Sequence, residues 1–156
     1  RFLRAGIEPE TALKILNSVM LVRNSDGTLF MTVDLLSVDL FSGEAKIYKY
    51  GAAPSYLKRG EEVRRYTGEA LAAGLCLDGV SSADCTSLLM QEGDCIIIAS
   101  DGVANPLDDE WLRSSAAAYS GGCARELSLK LLEEAIEKYG QDDDMTVIAV
   151  LLQKRA

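Results

Sequence analysis

The sequence predicts an α+β fold in which antiparallel β-sheets are covered by helices. Short apolar strands follow one another across compact turns, which is typical of hairpins and antiparallel sheets. Two helix-like segments come together late in the chain instead of alternating with strands, which argues against a parallel α/β sheet. Several strands are apolar on both sides and need cover on both faces, which sheet packed on sheet with helices outside would supply.

The first half of the chain is predicted to hold one helix followed by paired strands. Pro9 suits a first helical turn, and apolar residues at helical spacing predict a helix over 10–22. After a turn at 24–27, the run 29–41 is strand-like, and its alternation changes phase at Leu36, which indicates a bulge or a strand covered on both faces. Further strands are predicted at 45–50, 55–58 and 63–66, with hairpin turns at 42–44 and 59–62, a loop at 51–54 and an irregular segment at 71–79.

The second half is predicted to contain a third hairpin, two helices and a final strand. The hairpin joins 86–90 to 95–100. Asp108 is a good N-cap for a helix that runs to Tyr119. The second helix covers 123–139 with Gly140 as its C-cap, and the last strand covers 145–152. Helical spacing predicts an apolar face on each helix, formed by Leu112, Ala116 and Tyr119 in the first and by Ala124, Leu127, Leu131 and Ala135, with Leu132, Ile136 and Tyr139, in the second. All 156 residues are interpreted as a single domain.

The amino-acid composition and net charge limit the classes of protein to which the chain can belong. The chain has 48% apolar and 26% charged residues, which is ordinary for a globular protein. Its net charge of -8 argues against nucleic-acid binding, which needs cations to neutralise phosphates. No membrane-spanning run or signal peptide is recognisable in the sequence. Because Arg1 is not an initiator methionine, we expect the chain to be a piece of a longer protein.

Cysteine and histidine usage excludes further chemistries. The four cysteines form no C-x-x-C pair and lie mostly in apolar stretches, which favours a reduced, cytoplasmic compartment; they are Cys76, Cys85, Cys95 and Cys123. The chain contains no histidine, which excludes Ser-His-Asp and Cys-His catalysis and most zinc sites.

Acidic residues at the ends of two apolar strands form the candidate site. Asp101 and Gly102 end the strand 95–100, and residues 142–144, all aspartate, precede the last strand. If these strands are antiparallel neighbours, their acids meet at one end of the sheet. Carboxylates, carbonyls and water suit magnesium, manganese or calcium, and the EF-hand pattern for calcium is absent. Gly102 would let the backbone turn through dihedrals that side chains disfavour.

Each candidate also has a purely structural interpretation. Asp101 and residues 142–144 fit a plain strand-to-turn transition and a solvated loop. Asp34 and Asp39 are interpreted as hydrogen-bonded structural acids. The cations of the second hairpin could bind phosphate but are more typical of a solvated turn; they are Lys58, Arg59, Arg64 and Arg65.

Residues 97–103 read Ile-Ile-Ala-Ser-Asp-Gly-Val and residues 143–147 read Asp-Asp-Met-Thr-Val. In this order they resemble the two C-terminal motifs of metal-dependent serine/threonine phosphatases of the 2C class. Residues 51–60, which read Gly-Ala-Ala-Pro-Ser-Tyr-Leu-Lys-Arg-Gly, and residues 32–40 are similar to the stage II sporulation protein E family within that class.

This resemblance implies an α-β-β-α sandwich with a dinuclear manganese or magnesium centre, where a metal-activated water attacks phosphoserine or phosphothreonine. It implies Asp101 and Asp143 as catalytic metal ligands, Asp144 as the second choice, and Gly102 as a carbonyl donor. The implied partner is a phosphorylated anti-anti-sigma factor, whose dephosphorylation releases a sigma factor during sporulation. A homodimer, and a parent protein anchored in the membrane with this domain in the cytoplasm, are further expectations.

One motif of the family has no counterpart in the chain. The family's first metal motif, an aspartate followed by Gly-x-Gly, should precede the first helix and supplies the acid that bridges both metals. Asp26 does not replace it, because it lies in the turn after that helix. A noncatalytic docking module that keeps the fold, or an oligomerisation platform, are the alternative functions.

With that bridging acid missing, we expect the 156-residue chain to bind manganese weakly and to hydrolyse phosphoesters poorly. Manganese-dependent hydrolysis should therefore rise sharply when the residues that precede Arg1 in the parent protein are added. Equal activity with and without them would contradict this prediction.

Overall fold

The computed structural model describes residues 3–24, 28–75 and 82–154. In them, a short 3-10 helix at Leu3–Ala5 precedes the following elements: α1 (Pro9–Arg23), β1 (Val33–Val38), β2 (Glu44–Tyr50), β3 (Ser55–Arg59), β4 (Glu62–Tyr66), β5 (Asp84–Leu89), β6 (Cys95–Ala99), α2 (Glu110–Ala118), α3 (Ala124–Tyr139) and β7 (Val147–Leu151). None of the helices in these ranges is long and apolar enough to span a bilayer.

One compact unit comprises Arg1–Ala52 and Gly68–Leu89. Its three-stranded antiparallel sheet has the order β1-β2-β5. The pairing of β1 with β2 runs from Val33 opposite Tyr50 to Val38 opposite Ala45 without a bulge. All six residues of β1 are half-buried, so the change of phase at Leu36 reflects cover on both faces.

The second compact unit comprises Ala53–Thr67 and Met90–Ala156. Its antiparallel sheet has the order β4-β3-β6-β7, so β6 lies inside the sheet with a neighbour on each side. Helix α3 packs against β7, and α2 packs against β3 and β4. The predicted apolar faces of these helices are confirmed, because their buried residues are Leu112, Ala116, Leu127, Leu131 and Ala135.

The predicted third hairpin is wrong. Strand β5 pairs with β2 in the first sheet, whereas β6 pairs with β3 and β7 in the second. In the turn between β5 and β6, the Asp94 carboxylate accepts a hydrogen bond from the Gln91 N–H at 2.7 Å. Backbone bonds with Leu152 then extend the pairing of β6 with β7 rather than with β5. Adjacent strands in sequence therefore belong to different sheets, which a local hairpin pattern does not reveal.

Several predicted boundaries also change. The strand-like run 29–41 contracts to β1, with Met31 forming an isolated bridge to Ala73. Asp109, not Asp108, occupies the N-cap position of α2, and its side chain makes no capping bond. On α1, Val19 is exposed while the polar Asn17 is buried and accepts the Gly74 N–H at 2.8 Å.

Some predictions fall on residues that the structure does not describe. These are residues 25–27 of the turn, with Asp26 among them, and residues 76–79 of the irregular segment, with Cys76 among them. Of the described cysteines, Cys95 is buried, Cys123 is half-buried and Cys85 is exposed, all as free thiols.

Asp94 is a buried anchor at the start of β6. Its side chain is 2% exposed, and Arg59 donates to both carboxylate oxygens at 2.9 and 2.6 Å. Burial acts to raise the pKa of Asp94, but the bonds from Arg59 and from the Gln91 N–H outweigh it and hold that pKa below its ordinary value.

Replacing Asp94 with Asn should lower the free energy of unfolding by about 2 kcal/mol at pH 7, the scale of hydrogen bonds to a charged group. Because the folded pKa is lowered, this contribution is complete above the ordinary aspartate pKa of about 3.9 and is lost as pH falls through the lower folded value. Urea denaturation between pH 7 and pH 3 measures the difference.

Glu92→Gln is the matched control, since Glu92 lies in the same turn but forms an exposed pair with Lys154. Equal stability of the Asp94 and Glu92 variants at pH 7 would contradict the assignment of Asp94 as an anchor.

Candidate metal centre

The two acidic motifs lie at the same end of one antiparallel strand pair. Strands β6 and β7 pair from Cys95 opposite Leu151 to Ala99 opposite Val147. Asp101 follows β6 by two residues and Asp144 precedes β7 by three residues. The prediction that these two strands are antiparallel neighbours is confirmed, and their register brings the two motifs to one edge of the sheet.

Ser100 joins the two motifs through hydrogen bonds. Its N–H donates to the Thr146 carbonyl at 3.0 Å, which continues the strand pairing beyond β6. Its hydroxyl accepts the Thr146 N–H at 3.0 Å and donates to the Asp144 carbonyl at 3.1 Å. The sequence did not predict Ser100 as a residue of the site, although its position directly before Asp101 could have indicated it.

Gly102 is required because the opposite motif approaches it closely. A Cβ at this position would lie 2.8 Å from the Asp144 carbonyl oxygen and 3.5 Å from the Asp143 Cβ. Its φ angle is not positive, so the expectation of a backbone conformation that side chains disfavour is wrong. The glycine instead makes room for the Asp144 carbonyl and for the side chains of Asp143 and Met145, which is a tertiary constraint.

The carboxylates of the candidate site are exposed. Asp101, Asp143 and Asp144 are all accessible to solvent, and one oxygen of Asp143 accepts the Asp144 N–H at 2.7 Å. Within residues 3–24, 28–75 and 82–154, no three His, Cys, Asp or Glu side chains come together in a group that could hold a metal ion. The donors are hard oxygens, which fit magnesium or manganese held by one or two carboxylates with water in the remaining positions.

Two other acids have structural partners. Asp34 forms an ion pair of 2.5 Å with Lys49, and their side chains are 10% and 3% exposed. Burial lowers the pKa of Lys49, and Asp34 opposes that shift. Asp39 accepts the Phe41 and Ser42 N–H groups in the turn after β1, and these bonds lower its pKa. Both acids are thus engaged within the first unit, as expected of structural acids.

The cations of the second hairpin bind groups of their own unit. Arg59 is paired with Asp94, Arg64 with Glu62, and Arg65 with Asp109. Lys58 donates to the carbonyl of Gly60 in the hairpin turn. Arg59 and Arg65 stay partly exposed, as expected of a turn, with 40% and 36% of their side chains accessible, but each also reaches a buried carboxylate.

Gly102→Ala should destabilise the protein by about 2 kcal/mol, since overpacking against backbone forces the chain to shift. The matched control is Gly122→Ala, where a Cβ would meet nothing within 4 Å and φ is not positive. Urea denaturation of both variants measures the difference. A Gly102 variant as stable as the Gly122 variant would contradict the close approach of the two motifs.

Comparison with known proteins identifies the fold. Residues 1–153 match the family model of stage II sporulation protein E (SpoIIE). The chain is 30% identical over 157 residues to stage II sporulation protein E of Bacillus subtilis strain 168, with 96% of this chain covered. It spans only 19% of the length of that relative.

Solved structures agree with this relationship. The PP2C phosphatase domain of SpoIIE from Bacillus subtilis, solved with a fragment of its regulatory domain, matches at a TM-score of 0.86 and 29% identity, covering 99% of this chain and 48% of that chain. The manganese-presoaked phosphatase domain of the same protein matches at a TM-score of 0.69 and 28% identity, covering 99% and 70%. The predicted α+β fold class is confirmed, and the chain belongs to the SpoIIE family of PP2C-type serine/threonine phosphatase domains.

Proposed function

We propose that this chain carries part of the metal site of a phosphatase that hydrolyses phosphoserine or phosphothreonine on a regulatory protein. The observation that carries the proposal is the contact between the two acidic motifs, made by the Ser100 hydroxyl and by the close approach of Gly102 to Asp143 and Asp144. Membership of the SpoIIE family supports the same reaction.

In this proposal Asp101 and Asp143 hold a manganese or magnesium ion, with Asp144 as the second choice in the last motif. The Gly102 carbonyl is a further oxygen donor. Such an ion, when bound, lowers the pKa of a coordinated water and orients it for attack on phosphorus. Ser100 fixes the spacing of the two motifs, and the net charge of -8 favours the approach of cations.

The proposed substrate is a phosphorylated protein of the anti-anti-sigma type, dephosphorylated in the cytoplasm to release a sigma factor during sporulation. Membership of a sporulation-protein family supports this substrate class. We also propose that residues 1–156 form the C-terminal portion of one phosphatase domain in a membrane-anchored parent. The alignment of 99% of this chain with 70% of a solved phosphatase domain supports that assignment.

A noncatalytic docking module with the same fold is the second candidate. The observation that favours it is the lack of a three-residue metal-binding group among the residues that the structure describes. Measurement of manganese binding distinguishes the two functions, because a docking module does not require a metal ion bound by the acids at the ends of β6 and β7.

Asp101→Asn and Asp143→Asn should each weaken manganese binding at least about tenfold, since even residues that only support metal ligands commonly have effects of that size. Titration of manganese into the 156-residue chain, followed by water-proton relaxation, measures the dissociation constants. Hydrolysis of a phosphoserine peptide by the same variants should fall in parallel.

Asp142→Asn is the control, because it removes the same charge from the neighbouring exposed position. If all three variants bind manganese as the parent chain does, the metal site fails and the docking module is favoured.

A further inference from the structure

A buried carboxylate holds the far end of the loop that begins with Asp101. The side chain of Asp109 is 5% exposed. Its Oδ2 accepts hydrogen bonds from the Tyr56 hydroxyl at 3.0 Å and from Arg65 Nη1 at 3.3 Å, while Arg113 Nε lies 3.4 Å from Oδ1. Asp109 therefore connects both strands of the second hairpin, through Tyr56 of β3 and Arg65 of β4, with helix α2.

Arg65 also contacts the loop directly. Its Nη1 donates to the carbonyl of Pro106 at 3.1 Å, halfway between Asp101 and α2. One guanidinium thus binds the loop backbone and the buried acid that ends the loop. The planar fork of several donors makes arginine suited to such double contacts, whereas lysine offers a point charge.

The rest of the loop is held at both ends. At its start, the N–H groups of Val103 and Ala104 donate to the Ser100 carbonyl at 3.0 and 2.9 Å, and both residues are fully buried. At its end, the Tyr139 hydroxyl donates to the Asp108 carbonyl at 3.0 Å. The loop at 101–109 is consequently fixed to the second unit at both ends, and Arg65 binds it between those ends, at Pro106.

We infer that Arg65, acting through Asp109 and the Pro106 carbonyl, is a positioning residue that fixes the loop presenting Asp101 to a metal ion. The inference deepens the proposed function and rests on it. Asp109 is buried, but 36% of the Arg65 side chain is exposed, and ion pairs that reach solvent add little net stability. The main effect of this pair is therefore on the position of the loop. A metal ligand must be held close to its productive position, and a loop of this length needs such support.

The test compares Arg65→Met with Arg64→Met in the 156-residue chain. Arg64 is the matched control because it lies next to Arg65 on the same strand and forms an exposed ion pair with Glu62. Two quantities are measured: amide hydrogen exchange over residues 101–109, and the manganese dissociation constant from water-proton relaxation.

We expect Arg65→Met to accelerate exchange across 101–109 and to raise the manganese dissociation constant about tenfold, as is common when support of a metal ligand is lost. Arg65→Lys should recover part of the affinity, and Arg64→Met should match the parent chain. Equal exchange and equal affinity in the Arg65→Met and Arg64→Met variants would overturn the inference.

Asp101→Asn separates this inference from the proposed function. If Asp101→Asn leaves manganese binding unchanged, the metal site fails, and the positioning role fails with it. If Asp101→Asn weakens binding while Arg65→Met does not, only the positioning role is overturned. Should Arg65→Met fail to fold, Tyr56→Phe removes one hydroxyl from Asp109 and provides the same comparison, with a smaller rise in exchange and dissociation constant expected.

Discussion

The pairing of β6 with β7 is the constraint on which the candidate site depends. The register sets Ala99 opposite Val147, and the Ser100 hydroxyl extends that register by bonding to both Asp144 and Thr146. A slip of one residue would turn every side chain of a strand to the other face, so a strand buried on both sides resists it strongly. The two acidic motifs, more than forty residues apart in the chain, are thereby held at one edge of the sheet.

The hairpin of β3 and β4 supports strand β6 and the loop that follows it. Arg59 binds buried Asp94 before β6, and Arg65 binds buried Asp109 after the loop that follows β6. The stretch from Asp94 to Asp109 therefore has an acid and an arginine at each end. Since a buried carboxylate without a partner is costly, each of these acids specifies where the hairpin must lie.

The chemistry of the candidate centre follows from what the chain contains. With no histidine in the sequence, the oxygen donors of the aspartates and of the backbone remain, and they suit hard divalent ions. The exposed acids of the site contrast with the buried acids of the framework, whose charges are already matched by cations. The acids at this edge of the sheet, Asp101, Asp143 and Asp144, are therefore exposed to solvent and accessible to a cation.

Local patterns in the sequence were sufficient for much of the fold. Helical spacing gave the buried faces of α2 and α3, and Gly140 ended α3 as predicted, with a φ of 78°. Apolar runs located β6 and β7, and the turn at Gly60 gave the hairpin of β3 and β4. These features depend on periodicity and turn chemistry, which are properties of neighbouring residues.

Contacts between distant residues were decided only by the tertiary structure. Strand β5 pairs with β2 in the first sheet and not with β6, which follows it after a five-residue turn. Burial and register determine this pairing, and the residues of the turn do not reveal it. The sequence determined that Gly102 matters, but the reason, the close backbone of Asp144, appears only when β7 lies beside β6. Arg65 likewise looked like a solvated cation, because its partner Asp109 lies 44 residues away and only folding brings the two charges together.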